Sequence, residues 1–281
     1  MINMLINNWF FEDDMPFASA FKIKGSLYST KSKYQKIDVL ESVKMGKVLL
    51  LDNKVMVTEN DEFYYHEAIA HTSVSIHPNP NKLLVIGGGD GGTIREVLKY
   101  SSVSEIDLVE IDEEVINVSK KYFPETACEL TNPKVKLQTC DAIEYVKKGV
   151  LYDVILCDST DPEGFALGLI SKEFYKNILQ ALNKNGIYIC QSGSLILQEN
   201  EFKTNLENMR SVFKYVDVIV SIIPSYPGSL WSFLIGSNSP IDKTIKNTPI
   251  GKTKYWNPEI HERLFAKPQW IKDKYFTLQT T

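Results

Sequence analysis

The spacing of apolar positions changes near residue 60 and again near residue 82. Before residue 60 they fall in short alternating or continuous runs at 21–24, 35–41, 48–51 and 55–58, which predict strands. Gly25, Gly46 and the pair Asp52-Asn53 punctuate these runs as turns, so this stretch reads as an antiparallel β unit without a helix. Residues 61–77 then follow a helical period, with Phe63, Ile69 and Val74 on one face and Asp61 in position to cap the first turn. Pro78 and Pro80 end that helix. The pattern therefore predicts a small β domain with its connecting helix over 1–77 and a larger domain over 78–281.

From residue 82 strands and helices alternate. Strands are predicted at 82–86, 105–111, 135–140, 152–157 and 186–191, with helices at 92–100, 113–122, 142–147, 171–183 and 199–215. Such alternation implies a mostly parallel sheet covered by helices on both faces, an α/β architecture. The last two strands, 216–223 and 230–236, are joined by Tyr226-Pro227-Gly228-Ser229, too short a link for a parallel crossover, so the sheet should end in an antiparallel hairpin. The tail after Ser237 is polar and then aromatic, and is expected to wrap back onto the domain.

Composition narrows the classes. With 43% hydrophobic and 23% charged residues the chain has material for a real core, and no apolar run approaches the ~18 residues of a membrane span. The start of the chain, MINMLINNWFFEDD, has no basic region and does not read as a signal peptide. Cys128, Cys140, Cys157 and Cys190 are scattered, without metal-ligand spacing, which argues for a reducing cytoplasm and against a zinc site. A net charge of −4 without a basic patch argues against nucleic acid as partner.

The chemistry concentrates after the first strand of the large domain. Gly87-Gly88-Gly89-Asp90-Gly91-Gly92 is formally G-x-G-x-x-G, and Glu110, at the end of the next strand, stands about 20 residues on, where an acid holds ribose hydroxyls. A glycine turn without a ligand is the weaker explanation, because five glycines in six residues cost backbone entropy. The fingerprint alone suggests a nicotinamide dinucleotide. Asp90 argues against it, since a carboxylate in that loop repels a pyrophosphate but suits an ammonium group. Asp141 and Asp158 also follow strands, so Asp90, Glu110, Asp141 and Asp158 should line one crevice at the carboxyl edge of the sheet. One such Asp is commonly a helix cap, whereas four clustered acids call for a cation. In Asp158-Ser159-Thr160-Asp161-Pro162 the proline forces a loop, and the two acids can hold an amine and take its proton. Tyr64, Tyr65 and His66 can roof the same crevice, although ordinary packing explains Tyr64 or His66 taken alone.

The glycine loop, Val109-Glu110-Ile111-Asp112 and Asp158-Ser159-Thr160-Asp161-Pro162 resemble the polyamine aminopropyltransferases. The likeness extends to Trp9-Phe10, Tyr34-Gln35, Leu51-Asp52, Thr58-Glu59, the run from Asp61 to Glu67, Ile223-Pro224-Ser225-Tyr226-Pro227 and the tail around Tyr255, His261 and Phe265-Ala266-Lys267-Pro268. The resemblance implies a methyltransferase-like, Rossmann-type domain behind the small β domain. It implies transfer of the aminopropyl group of decarboxylated S-adenosylmethionine to a diamine, putrescine foremost, yielding spermidine and 5′-methylthioadenosine. It further implies a homodimer, no metal and no cofactor beyond the co-substrate. Under it Asp90 binds the donor's amine, Glu110 the ribose, Asp141 and Ala142 the adenine, Gln35 the nucleoside end, and Ala166 the lid side of the nucleoside, with residues 159–170 as the lid. Asp158 is the base, while Tyr65, His66, Asp161 and Tyr226 belong to the acceptor side.

Three positions depart from the family pattern. Met56 stands where Gln is common, Phe165 interrupts the lid motif G-P-A, and Ser192-Gly193-Ser194 lacks an acid used for the acceptor's far amine, with no obvious replacement. Other acceptors such as cadaverine or agmatine therefore stay open, as does a non-catalytic nucleoside- or polyamine-binding homologue. A methyltransferase using intact S-adenosylmethionine is disfavoured because Asp90 would face the donor's carboxylate.

Overall fold

A computed structural model describes residues 5–6, 8–14 and 17–276. The first sheet is antiparallel throughout and runs in chain order: β1 (Leu5–Ile6), β2 (Trp9–Asp14), β3 (Phe17–Lys31), β4 (Lys36–Ser42), β5 (Lys47–Leu51) and β6 (Lys54–Thr58). The expected strand at 21–24 is the middle of the much longer β3, and β2 is an additional strand. Pattern alone hides β3 because Ile23 is its one fully buried residue. Irregularities in its pairing with β4, between Ile23 and Gly25 and between Ser26 and Tyr28, let so long a strand twist. Asp52 and Asn53, both at positive φ, make the tight turn between β5 and β6.

Strand β5 reads as a continuous apolar run because both its faces are covered. Leu49 and Leu51, with Ile37, Val39 and Val57, pack on Val115, Val118 and Phe123 of the larger domain. Val48 and Leu50 pack with Phe10, Ile23, Leu40 and Val55 on the other side. The first of these clusters fixes the small sheet over the larger one.

Helix α1 (Glu62–Ile76) is buried on nearly every side rather than along one face, and Phe63 is only half-buried. Small residues such as Ala68, Ala70, Ser73 and Ser75 let it lie close to the large sheet, whose core it joins. Asp61 does not cap it. Its carboxylate instead accepts from Thr58 Oγ1 at 2.6 Å and from Ser225 N and Oγ at 2.7 and 3.0 Å, which ties the head of α1 to the loop after residue 222.

The second sheet contains β7 (Lys82–Gly87), β8 (Glu105–Glu110), β9 (Val135–Thr139), β10 (Tyr152–Asp158), β11 (Leu182–Ser194), β12 (Tyr215–Ile222) and β13 (Leu230–Ser237). Their order is β12-β13-β11-β10-β7-β8-β9, parallel from β9 to β11 and antiparallel at the β11–β13 and β12–β13 pairs. This is the mostly parallel Rossmann-like sheet with a terminal hairpin that the alternation predicts. From β7 the chain first builds outward through β8 and β9, then returns to place β10 on the other side. The crevice beyond β7 and β10 is therefore the switch point where such sheets bind ligands.

The helices on this sheet are α2 (Gly92–Val97), α3 (Glu113–Tyr122), α4 (Ala142–Tyr145), α5 (Lys172–Gln180), α6 (Glu199–Arg210) and α7 (Pro258–Phe265). Several end earlier than their periodicity suggests. Leu182 and Tyr215 already belong to strands, because the sheet's pairing claims residues that also fit a helical period. The tail does wrap back. The Glu67 carboxylate accepts the backbone N–H groups of Lys254, Tyr255 and Trp256 at 2.8, 2.8 and 2.7 Å. All four cysteines are free thiols. Among the described residues no helix is long and apolar enough to cross a membrane.

Candidate active site

A cleft of about 410 Å³ opens between the two sheets. Every residue singled out above for catalysis, donor or acceptor lines it: Gln35, Tyr65, His66, Asp90, Glu110, Asp141, Ala142, Asp158, Asp161, Ala166 and Tyr226.

The glycine loop leaves β7 and packs on the end of β10, with Gly88 N donating to Asp158 O at 2.8 Å. At Gly92 a Cβ would stand 2.2 Å from His66 Nδ1, so only glycine admits the imidazole beside the helix start. His66 then bridges two carboxylates. Its Nδ1 lies 2.6 Å from Glu62 Oε2 and its Nε2 lies 3.1 Å from Asp90 Oδ1. Arg95 Nη2 contacts both Glu62 oxygens, at 3.0 and 2.8 Å. Burial alone would drive the imidazole neutral, but Asp90 and Glu62 hold it well above its ordinary range. Burial likewise opposes ionisation of Asp90, and the charge and hydrogen bond of His66 keep that carboxyl below its usual range. Asp90 is thus a carboxylate, also accepting from Gly92 N at 2.7 Å.

Glu110 ends β8. Its oxygens accept from Gly89 N at 3.2 Å and Asp112 N at 2.9 Å. Burial, with Asp112 and Asp90 nearby, lifts it to about 7. A buried acid in this state gains from further hydrogen-bond donors such as vicinal hydroxyls. Asp112 reaches across to the small domain, accepting from Ser32 Oγ at 2.6 Å and Gln35 Nε2 at 3.0 Å. Asp141 caps α4 by accepting from Ile143 N at 2.8 Å, so its helix-cap role is real as well as its place on the cleft wall.

Asp158 ends β10 in register with Gly87. It accepts from Thr93 Oγ1 at 2.6 Å and from the Tyr65 hydroxyl. Burial and the neighbouring charge of Asp90 raise its pKa. Ligand atoms of His66, Asp90 and Asp158 fall within 4.8 Å of one another. A carboxylate desolvated beside another is a stronger base than one in water, which suits proton abstraction from an amine. Burial likewise raises Asp161, which accepts from Gln198 Nε2 at 2.7 Å. Tyr226 lines the cleft with its hydroxyl already engaged, donating to Met56 O at 2.7 Å. Tyr64, unlike Tyr65 and His66, is not on the cleft wall and packs against Phe63 and Tyr255.

Sequence reasoning missed Glu12. This residue of β2 is 2% exposed yet lines the cleft. Its Oε1 accepts from Val55 N at 3.0 Å, and Oε2 has no hydrogen-bond partner among the described residues. Burial first, then the charge of Asp161, lifts it to about 7, against the opposing effects of Val55 N–H and Lys54. The signal was an acid interrupting the apolar run Trp9-Phe10-Phe11. Gly193 also takes on a physical reason. It sits at φ +73°, and a Cβ would fall 2.4 Å from Gln198 Oε1, the same Gln198 that holds Asp161. A glycine here makes room for Gln198, and the cleft wall carries a further carboxylate, Glu12, from β2.

Residues 62–247 match the family model described as the spermine/spermidine synthase domain, and residues 8–59 match that of the spermidine synthase tetramerisation domain. The polyamine aminopropyltransferase of Caldicellulosiruptor bescii is 40% identical over 269 residues, covering 94% of this chain and 97% of that protein. That of Moorella thermoacetica is 38% identical, covering 94% and 95%. Among solved structures, a spermidine synthase in complex with the transition-state analogue AdoDATO superposes with a TM-score of 0.91 at 35% identity, covering 96% of this chain and 95% of that one. Spermidine synthase from Thermotoga maritima superposes at 0.89 with 36% identity, covering 94% and 93%. A cleft built from these acids, on a chain alike over more than nine-tenths of its length, leads to one assignment: the protein belongs to the spermidine synthase family and is a polyamine aminopropyltransferase.

Proposed function

We propose that the protein moves the aminopropyl group of decarboxylated S-adenosylmethionine to putrescine, forming spermidine and 5′-methylthioadenosine. The observation that carries this is Asp158, a half-buried carboxylate of raised pKa set against Asp90 on the donor side and within one loop of Asp161 on the acceptor side.

The donor's ammonium pairs with Asp90, its ribose hydroxyls donate to Glu110, and its adenine lies by Asp141, Ala142 and Ala166, with Gln35 at the nucleoside end. The acceptor lies between Tyr65 and Tyr226, its reacting amine at Asp158 and Asp161 beside His66. Asp158 takes a proton from the ammonium. The freed lone pair attacks the carbon bonded to sulfur, the C–S bond breaks, and its electron pair leaves with the sulfur as a neutral thioether. The sulfonium is itself the leaving group, so the step calls on no resident cofactor or metal. The protein supplies alignment, the base and exclusion of water. Glu12 takes the acceptor's far ammonium, which supports a diamine; its distance from Asp158 sets the chain length, and cadaverine and agmatine are the competitors to compare.

The match to a tetramerisation domain supports an oligomer built on the small sheet, and we expect a homodimer as its smallest form. A biosynthetic role in the cytoplasm accords with the free thiols. Asp158→Asn tests the mechanism: turnover should fall by a factor on the order of 10²–10⁴ while methylthioadenosine still binds. Turnover at the wild-type rate would remove Asp158 from the chemistry.

A further inference from the structure

Phe165 has no counterpart in the arrangement described so far. It stands in a 3-10 turn, Gly164–Ile170, that contains no buried residue, and it is 67% exposed. An exposed lid-tip phenylalanine without a partner would be unremarked surface. This one has a partner. Its ring meets Tyr34 edge-on, with centroids 5.4 Å apart and planes at 83°, a favourable aromatic geometry. Among the described residues it is the one aromatic pair joining that turn to the small domain.

Tyr34 is held on a firm post. Its backbone N–H donates to Ser32 Oγ at 3.0 Å, and Ser32 Oγ donates in turn to Asp112 at 2.6 Å. The next residue, Gln35, donates to the same Asp112 oxygen. The loop carrying Tyr34 is therefore anchored to the end of β8, where Glu110 stands. The turn carrying Phe165 starts at Gly164, itself at φ +51°, and is tied by Ala166 N donating to Glu163 O at 2.9 Å and, at its far end, by Asn208 Nδ2 donating to Ile170 O at 2.9 Å. A ring on the anchored loop of the small domain thus meets a largely exposed ring on this turn. Both line the cleft alongside Gln35, Asp141, Ala142 and Ala166, on the nucleoside side.

We propose that Phe165 and Tyr34 form a latch that holds the lid over the nucleoside half of the cleft, and that this pair sets how fast methylthioadenosine leaves. The latch rests on the donor reading given above. Neither ring carries a proton or charge to the reacting atoms, so both are positioning residues. The expected signature is a change in nucleoside release without a matching change in the acceptor's KM.

The test is the dissociation rate of methylthioadenosine, measured by stopped flow with wild type, Phe165→Ala, Tyr34→Ala and the double variant. An aromatic pair of this kind is expected to slow release roughly 2- to 12-fold. Each single variant should speed release by about that factor, and the double variant no more than either single one, because the same contact is lost. Tyr34→Phe should restore the wild-type rate, since the contact uses the ring. Replacing Phe165 removes nothing from the core, so folding is not at issue. Unchanged release in the single variants, or single effects that multiply in the double, overturns the latch alone. Failure of wild type to bind methylthioadenosine at all overturns the donor reading and the latch with it.

Discussion

Replacing Glu12 by Gln should make the empty protein more stable at alkaline pH and leave it little changed in acid. The carboxyl is buried with one oxygen unpartnered, and its pKa rises from 4.5 to about 7, burial being the largest cause. The folded state therefore holds this proton more tightly than the unfolded chain. That contribution to stability is complete below about pH 4.5 and disappears as pH rises through about 7. A shift of this size corresponds to about 3 kcal/mol at ~1.36 kcal/mol per unit, an upper bound because the charged form can draw in water. Gln keeps an oxygen for Val55 N–H and never ionises. Urea unfolding at fixed protein concentration, from pH 5 to pH 8.5, should show the variant gaining on wild type as pH rises, by up to about 3 kcal/mol. Saturating putrescine should narrow the gap at pH 8 by stabilising wild type more than the variant, because an ammonium at Glu12 favours its charged form. Parallel stability curves for the two proteins would refute the buried, ionisable Glu12 on which the acceptor's far-end anchor depends.

Activity should fall as pH drops through the raised pKa of Asp158, because the base must be ionised to accept a proton; a pH–rate profile flat across the acid range would contradict this. Asp90→Asn should raise the donor's KM at least tenfold and leave methylthioadenosine affinity within about twofold, since the product lacks the aminopropyl ammonium that Asp90 pairs with; calorimetry with the nucleoside alongside steady-state kinetics separates the two. Gly193→Asp adds an acid beside the acceptor side of the cleft, yet it should weaken acceptor binding several-fold rather than strengthen it. The backbone sits at φ +73° and the new Cβ collides with Gln198, the support of Asp161. Improved acceptor KM in that variant would show that Gln198 is dispensable.

The large domain was the more legible half. Its strands are short apolar runs between helical periods, and the acids at their ends are predicted together because a parallel sheet brings those ends to one edge. The small domain was harder to read. Strand β3 is half-exposed on both faces and gives no alternation, so 15 residues of strand showed as four. Helix α1 was placed correctly in the chain but misjudged in character, since burial on all sides leaves no single apolar stripe to find. Asp61 shows the limit of local rules: a residue suited to capping is drawn to Ser225, more than 160 positions away, by the tertiary structure. Glu12 was missed for the same reason. An acid directly after Trp9-Phe10-Phe11 is unusual, but nothing near it in the chain reveals that β2 carries Glu12 into the cleft that also holds Asp161.

The most direct test of the account is to mix the purified protein with decarboxylated S-adenosylmethionine and a panel of putrescine, cadaverine, agmatine and spermidine, and to identify products by mass spectrometry, with intact S-adenosylmethionine as a control donor. The account predicts 5′-methylthioadenosine and spermidine in equal amounts, with putrescine the fastest acceptor and no aminopropyl transfer from the intact donor. Release of methylthioadenosine with another amine preferred over putrescine would contradict the acceptor assignment, and none with any amine, from folded protein, would contradict the mechanism built on Asp158.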